Sequence, residues 1–261
     1  MADSSLDAQN DHKVSRLKVL AGQFGFVVLV LGVVEGLVRS GVLSELFVAE
    51  PSVTFQAFGQ TFFKEVLPGA GATLAEIAVA LALSMVFGLG IGYLLWRFND
   101  LGRAWEVLLS SLFAAPTLLL YPIALVFFGR TPTAVVVLAA TVGVIPIILN
   151  TRTALLSVNP VLIRVGRAMR LPDQRVFRAI LLPAAAPGIF SGLQLGLGYM
   201  FKSVLAMEFI VNIGGLGRLV AESFDLLDTK EMYAGIMAVV LVAILYVTFL
   251  NRVEHGLQRA R

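Results

Sequence analysis

Residues 131–151 read TPTAVVVLAATVGVIPIILNT, and none of these 21 residues is charged. A helix of about 20 apolar residues crosses the hydrocarbon core of a bilayer. Comparable uncharged runs lie on both sides of this stretch and towards the termini, at 19–34, 77–96, 107–129, 179–201 and 232–251. The sequence therefore predicts an all-α integral membrane protein with about six transmembrane helices.

The composition supports this class. The chain of 261 residues is 58% apolar and only 14% charged, far from the average of soluble domains. The apolar runs are continuous, whereas the strands of a membrane β-barrel alternate apolar and polar residues. The shortest run, 19–34, reaches the required length if Glu35 and Arg39 lie at the outer interface, where charged side chains are tolerated.

The distribution of basic residues predicts the orientation. With a cytoplasmic N-terminus, the inner segments hold 14 Lys and Arg residues and the outer segments hold 5, as the positive-inside rule requires. Both termini are then cytoplasmic. We expect a polar tail at 1–18, a membrane domain at 19–255 with a cytoplasmic loop at 152–185, and a tail at 256–261. The net charge of +3 is explained by this topology, and no nucleic-acid partner is expected.

The cytoplasmic loop contains the segment 159–187, NPVLIRVGRAMRLPDQRVFRAILLPAAAP. Asn159 is a favourable N-cap and Pro160 suits the first turn of a helix. This helix has an apolar face and a basic face, formed respectively by Val161, Leu162, Val165 and Met169 and by Arg164, Arg167 and Arg170. Such a helix either lies at the lipid surface or inserts into a groove on a partner.

A second short helix follows in the same loop. The Leu171-Pro172 pair ends the first helix, because the residue before a proline avoids helical backbone angles. Asp173 can cap the second helix. We expect Leu182-Pro183 to end it and to open the next transmembrane helix.

Motifs for catalysis or metal binding are missing from the sequence. There is no Ser-His-Asp set, no paired-carboxylate site and no phosphate-binding loop. The chain has no cysteine, and its two histidines, His12 and His255, lie in opposite tails. We therefore expect neither an enzyme nor a metal site, and no cofactor in this chain. If ATP drives the protein, another chain must hydrolyse it.

The loop resembles the Glu-Ala-Ala loop of ABC importer permeases, which ends in a Leu-Pro pair shortly before a membrane helix. Counting back 13 residues from Pro183 reaches Arg170, at the position of the family's loop glycine. The Glu-Ala-Ala triplet falls on Arg164, Val165 and Gly166. The spacing of the motif is kept, but two of its signature residues are arginine.

Further motifs in the same order are similar to the permeases for nitrate, sulfonates, taurine and bicarbonate. They are Glu50-Pro51-Ser52, Thr73-Leu74, the proline-rich stretch from Ala115-Pro116 to Pro122, Phe128-Gly129, Gly214-Gly215-Leu216-Gly217, Leu227-Asp228-Thr229 and Ala234-Gly235-Ile236. The resemblance covers roughly residues 48–255. It implies a fold of the type I importer kind in a bacterial inner membrane, with the loop as a coupling helix between helices 4 and 5.

The resemblance also implies partners and a function. The loop would dock on a cytoplasmic ATPase, with two ATPases binding MgATP, and a second permease chain would complete the pathway. An extracytoplasmic binding protein would deliver a small solute, anionic or sulfonate-like. The arginines in the loop leave two interpretations, an unusual ATPase partner or a degenerate half of a heterodimer. A regulatory or scaffold role and a secondary transporter are the remaining alternatives, although the latter commonly has an internal repeat.

Three acidic or basic residues fall within or beside predicted transmembrane helices: Glu76, Lys202 and Glu208. An unpaired charge in a bilayer costs at least about 2.5–3.5 kcal/mol. Glu208 stands where similar permeases often have an acid, so an architectural role is expected for it. Glu76 and Lys202 either pair with each other, or Lys202 contacts an anionic solute, or Lys202 extends towards the interface.

Prolines and glycines within the runs suggest special contacts. Pro116, Pro122 and Pro146 are expected to interrupt helices, either as packed kinks or, at 116–122, as a lining of the pathway. Glycines four residues apart allow helices to approach closely, and they occur at Gly32 and Gly36, Gly88 and Gly92, and Gly192 and Gly196. These glycines allow close helix packing either within the subunit or at an interface between two subunits.

Overall fold

The computed structural model describes the backbone of residues 3–259 and the side chains of residue 19 and of residues 21–116 and 119–252. This part of the chain is all-α. Its helices are α1 (Asp3–Arg39), α2 (Pro51–Thr61), α3 (Leu67–Arg97), α4 (Asn99–Ala114), α5 (Tyr121–Phe128), α6 (Pro132–Leu156), α7 (Pro160–Ala168), α8 (Asp173–Val176), α9 (Leu182–Val211), α10 (Gly215–Asp225) and α11 (Thr229–Arg259). The side chains of His12 and His255 lie outside the described set.

Helix α6 is the centre of the bundle and packs between α3 and α9. Its contacts depend on small residues. A Cβ atom added to Gly88 or Gly92 of α3 would approach Ile147 or Thr151 of α6 to 2.6 and 2.7 Å, and one added to Gly192 of α9 would approach Asn150 to 2.5 Å. These distances are too short for a side chain, so the glycines are required by packing within the subunit, as one of the two interpretations predicts.

The glycines of α1 differ from those of α3 and α9, because they have no such close contacts among the described residues. No atom lies within 4 Å of a Cβ added to Gly32 or Gly36, and most of the described side chains of α1 are exposed. The helix is fastened at its end, where the backbone N–H and the hydroxyl of Ser52 donate to the Glu35 carboxylate at 3.0 and 2.6 Å. Glu35 thereby satisfies a free N–H in the first turn of α2, and Arg39 forms ion pairs with Glu35 and Glu50.

Two π-helical turns, π1 (Phe62–Val66) and π2 (Phe177–Leu181), keep long helices continuous. Each is followed by a Leu-Pro pair, Leu67-Pro68 and Leu182-Pro183. The leucine N–H bonds to the carbonyl five residues earlier, and this wider turn accommodates the proline, which lacks an N–H of its own. The chain is therefore helical from 51 to 97 and from 173 to 211. The prediction that Leu182-Pro183 ends a helix is wrong.

Five helices among the described residues are long and apolar enough to cross a membrane, so the count of six is not confirmed. The predicted helix at 107–129 is divided into the second half of α4, a 3-10 turn (Thr117–Leu120) and α5. Pro116 lies in the break, and Pro122 lies in the first turn of α5, where a missing N–H is tolerated. Pro146 is buried inside α6, and the helix continues past it, which agrees with the packed alternative.

Candidate functional site

Helix α7 forms where the sequence predicts the first loop helix. Asn159 is its N-cap, and its side-chain oxygen accepts the Val161 N–H at 2.9 Å. The inner side of α7 rests on the rest of the loop, because Gly166 is buried against Ile180 and Val176. A Cβ atom at Gly166 would lie 2.7 Å from Ile180 Cδ1, so a side chain at this position would have to displace the end of Ile180.

The outer face of α7 is apolar and uncovered. Val161, Leu162, Val165 and Met169 are between 45% and 67% exposed. On a protein surface that faces water, an exposed apolar stripe of this kind usually marks an interaction site. Arg164, Arg167 and Arg170 are also exposed, and none of them forms an ion pair with another residue that the structure describes.

Arg170 adopts a left-handed backbone conformation, with φ of 54°. It follows the end of α7, where the Leu171 N–H bonds to the Gly166 carbonyl and the Arg170 N–H bonds to the Arg167 carbonyl. This pair of bonds is a Schellman motif, whose left-handed position glycine occupies most often. The backbone therefore retains the geometry of a loop glycine at the position where the sequence has arginine.

We expect Arg170→Gly to stabilise the protein by about 0.5–1 kcal/mol, because glycine adopts positive φ without steric cost. Arg175→Gly is the matched control, since Arg175 lies within α8 and glycine in a helix costs about 0.5–1 kcal/mol. The two variants should change the midpoint of thermal unfolding in detergent in opposite directions. Equal destabilisation by both would contradict the interpretation of Arg170.

The second half of the loop begins one residue earlier than predicted. Pro172, not Asp173, occupies the N-cap position of α8. Beyond it, Phe177 of π2 packs against two aromatic rings near the end of α3, with centroid distances of 5.1 Å to Tyr93 and 6.1 Å to Trp96. The loop is thus attached to α3 through aromatic contacts.

A second candidate site lies at the opposite end of α3, around the buried carboxylate of Glu208. The Thr73 hydroxyl donates to it at 2.7 Å, and the Gly217 N–H donates at 2.8 Å. The Leu216 N–H in turn donates to the Thr73 hydroxyl at 3.0 Å. Glu208 and Thr73 are fully buried. They bind free N–H groups in the first turn of α10, so Glu208 joins α3, α9 and α10.

Glu76 belongs to the same cluster, because its carboxyl group lies beside that of Glu208. The hypothesis of a Glu76–Lys202 ion pair is therefore wrong for this structure. Lys202 and Glu208 are six residues apart on α9, which places them about 120° apart around the helix. The face that meets α3 contains Glu208, and Lys202 points elsewhere.

The ammonium group of Lys202 lies over the ring of Tyr199, 5.4 Å from its centroid. Tyr199 makes an edge-to-face contact with Phe113 of α4, with a centroid distance of 4.7 Å. Phe113 comes three residues before Pro116, so the structure brings together two of the predicted lining features, Lys202 and the break at Pro116. Glu76, Glu208 and Pro122 are not part of this group.

The sequence did not indicate the role of Arg152, which was assigned to the polar cytoplasmic loop. Arg152 is buried at the end of α6, where it forms an ion pair with Glu106 of α4 and bonds to Asn99 at 3.3 Å. Gly102 packs directly against its guanidinium group. The available signal was the spacing of Gly102 and Glu106, which are four residues apart and therefore on one face of α4.

The part of the chain that contains these sites matches one protein family. The model for "Binding-protein-dependent transport system inner membrane component" matches residues 84–260. The chain belongs to this family. The match includes the loop with α7, the Arg152 cluster, Lys202 and Glu208, and it begins within α3. The predicted resemblance to importer permeases is confirmed.

Relatives in this family are named for different solutes. The taurine transport system permease protein TauC of Escherichia coli is 26% identical over 174 residues, 67% of this chain and 63% of its own length. The nitrate import permease protein NrtB of Synechocystis is 28% identical over 184 residues, 70% of this chain and 66% of its own. The osmoprotectant import permease protein OsmW of Salmonella typhimurium is 28% identical over 183 residues, 68% of this chain and 85% of its own. The chain thus matches just under two thirds of TauC and NrtB.

Solved structures show that this family member has the importer permease fold. A chain of the MetNI methionine ABC transporter in an inward-facing conformation aligns with a TM-score of 0.63 at 22% identity, covering 74% of this chain and 95% of that one. A chain of an amino acid ABC transporter solved with histidines gives a TM-score of 0.63 at 16% identity, covering 77% and 96%.

Proposed function

We propose that this protein is the permease subunit of an ATP-driven importer and that α7 is its docking helix for a cytoplasmic ATPase. The observation that supports this most directly is the exposed apolar stripe of α7, formed by Val161, Leu162, Val165 and Met169. A short amphipathic helix binds by inserting such a face into a groove. The opposite side of α7 is already fixed to the protein by Gly166.

Movement of the ATPases would reach the membrane through two attachments. Gly166 fits against Ile180 and Val176, so α7 moves together with the start of the long helix that includes α9. Phe177 contacts Tyr93 and Trp96, so the same movement reaches α3. Because α3 and α9 both pack on α6, a displaced loop would change the arrangement of the central helices between inward and outward access.

Arg164 and Arg167 of α7 and Arg170 just beyond it would determine which ATPase can bind. They flank the apolar stripe and have no acidic partner among the described residues. An ATPase groove with acidic residues at its rim would complement them, whereas a basic rim would be repelled at a cost of several kcal/mol. MgATP would bind to the ATPases and not to this chain. A second permease chain, identical or different, would complete the pathway.

The solute is proposed to be a small anion or sulfonate, delivered by an extracytoplasmic binding protein. The named relatives transport taurine and nitrate, which supports this class. A relative of equal identity is named for osmoprotectants, so an anion-selective feature in this chain is needed to distinguish the two classes.

Val165→Asp tests the docking proposal. Val165 is 50% exposed, so the chain alone should fold as stably as the wild type. A charged side chain in the apolar groove should lower the amount of co-purifying ATPase, and MgATP-dependent uptake, about tenfold or more. Gln174→Asp, another exposed substitution in the loop, is the matched control and should retain the ATPase. A Val165→Asp complex with a wild-type content of ATPase would refute docking by this face.

Intact mass spectrometry of the complex extracted gently from its native host distinguishes the alternatives. Two copies of this chain with two ATPases would support a homodimeric importer. One copy beside a different permease would favour the heterodimer with a degenerate half. Absence of any ATPase would favour the regulatory or scaffold role.

A further inference from the structure

Lys202 is a basic residue on a transmembrane helix without an acidic partner. It is exposed, and no ion pair to it occurs among the described residues. It precedes Val211, the end of α9, by nine residues, about 13 Å at the helical rise of 1.5 Å per residue. An unpaired charge at such a depth is costly in lipid, so this side chain needs a polar environment or a ligand.

The surroundings of Lys202 have the form of a small binding site. Tyr199 lies beneath the ammonium group and Phe113 stands edge-on to Tyr199. One turn before Lys202, no atom lies within 4 Å of a Cβ added to Gly198, so the helix surface is open there. Pro116, three residues beyond Phe113, ends α4 and its regular hydrogen bonding. The site therefore has a cation, two aromatic walls and free space.

We propose that Lys202, Tyr199 and Phe113 form a contact site for the transported anion, on the pathway of the importer. The inference rests on the proposed function and adds the residues that select the charge of the solute. Sulfonate or nitrate oxygens would accept hydrogen bonds from the ammonium group, which has three donors, and from the Tyr199 hydroxyl. Phe113 would contact the apolar part of an organic solute.

The pairing of Lys202 with an aromatic ring suits a transport site. A cation–π contact leaves the N–H donors and the charge of the ammonium group available. An ion pair with a carboxylate would neutralise it. The structure directs the nearby acidic side chain of α9, Glu208, to a different face of the helix, where it bonds to Thr73 and Gly217. Lys202 is therefore free to bind an anion and, because one charge gives only modest affinity, to release it.

Cysteine labelling tests whether Lys202 faces water or lipid. The chain contains no cysteine, so Lys202→Cys and Leu245→Cys each introduce a single thiol. Leu245 is 69% exposed on α11 and serves as the apolar control. In the reconstituted complex, a membrane-impermeant charged methanethiosulfonate should label the Lys202→Cys variant at least about tenfold faster than the Leu245→Cys variant, because the reactive thiolate forms more readily in water than in lipid. Methanesulfonate or nitrate should slow that labelling. Equal labelling of the two positions would overturn the proposal.

Uptake into proteoliposomes containing the whole transporter tests the selectivity. Lys202→Gln should raise the KM for a methanesulfonate or nitrate probe at least about tenfold, while Lys202→Arg, which keeps the charge, should remain within about threefold of the wild type. If Lys202→Gln takes up the probe as the wild type does, the anion site at Lys202 is refuted, but the proposed importer function is not. No MgATP-dependent uptake of any probe by the wild type would refute the proposed function, and with it the inference.

Discussion

Glu208→Ala should destabilise the protein by about 3–5 kcal/mol. The substitution removes the acceptor for the Thr73 hydroxyl and the Gly217 N–H, both in a buried site. Each buried donor left without a partner costs about 1–3 kcal/mol, and the lost volume adds a cavity term. Because the same carboxylate holds the first turn of α10, that helix should detach from α9 before the rest of the protein unfolds.

Thermal unfolding of the purified chain in detergent, followed by tryptophan fluorescence, measures this effect. At about 2–4 °C per kcal/mol, Glu208→Ala should lower the midpoint by about 10 °C. Glu222→Ala removes an exposed carboxylate of α10 that pairs only with Arg218, and such surface pairs contribute less than about 1 kcal/mol. If the two variants unfold within about 2 °C of each other, the structural role assigned to Glu208 is wrong.

Gly102→Ala should also be strongly destabilising, although alanine is normally the better helix former. A Cβ atom at Gly102 would overlap the Leu95 carbonyl oxygen and the Arg152 guanidinium group. The carbonyl belongs to the end of α3 and cannot move freely, and displacing Arg152 would break its ion pair with Glu106. The Glu106 side chain is 46% exposed, so the pair contributes less than a fully buried one. Overpacking this contact costs about 1–3 kcal/mol, and we expect a total loss of at least about 2 kcal/mol.

Gly90→Ala provides the matched comparison. It makes the same change inside α3, where no atom lies within 4 Å of the added Cβ, and it should gain about 0.5–1 kcal/mol from helix propensity. The measurement is the midpoint of thermal unfolding of each variant relative to the wild type. We expect a decrease for Gly102→Ala and no decrease for Gly90→Ala. A stabilised Gly102→Ala variant would show that α4 does not approach α3 and α6 as closely as the structure describes.

The loop could be predicted in detail because its signals are local. Asn159 caps α7 and the Val161–Met169 stripe follows from helical periodicity, and neither depends on the rest of the chain. The left-handed backbone at Arg170 agrees with the position of the loop glycine in the resemblance. Two details of the loop were predicted wrongly. Pro172, and not Asp173, is the N-cap of α8, and the helix does not end at Leu182-Pro183, because a π turn allows proline to remain in a helix.

The partners of the buried charges could not be predicted in the same way. The sequence suggested that Glu76 pairs with Lys202, because their charges are opposite. In the structure, the rotation of α9 directs Glu208 towards Glu76 and Lys202 towards Tyr199. Arg152 follows an uncharged run directly, yet α4 folds back and covers it with Glu106. The region 107–129 reads as one uncharged helix, and it is divided at Pro116.

The sequence by itself determined the membrane class, the all-α fold, the family resemblance and the amphipathic loop helix, since hydropathy, periodicity and capping act over a few turns of chain. Tertiary structure alone decided which glycines admit a neighbouring helix, which charges meet and which face of α9 is open. These outcomes depend on how each helix is rotated against its neighbours, and that rotation results from the packing of all the helices together.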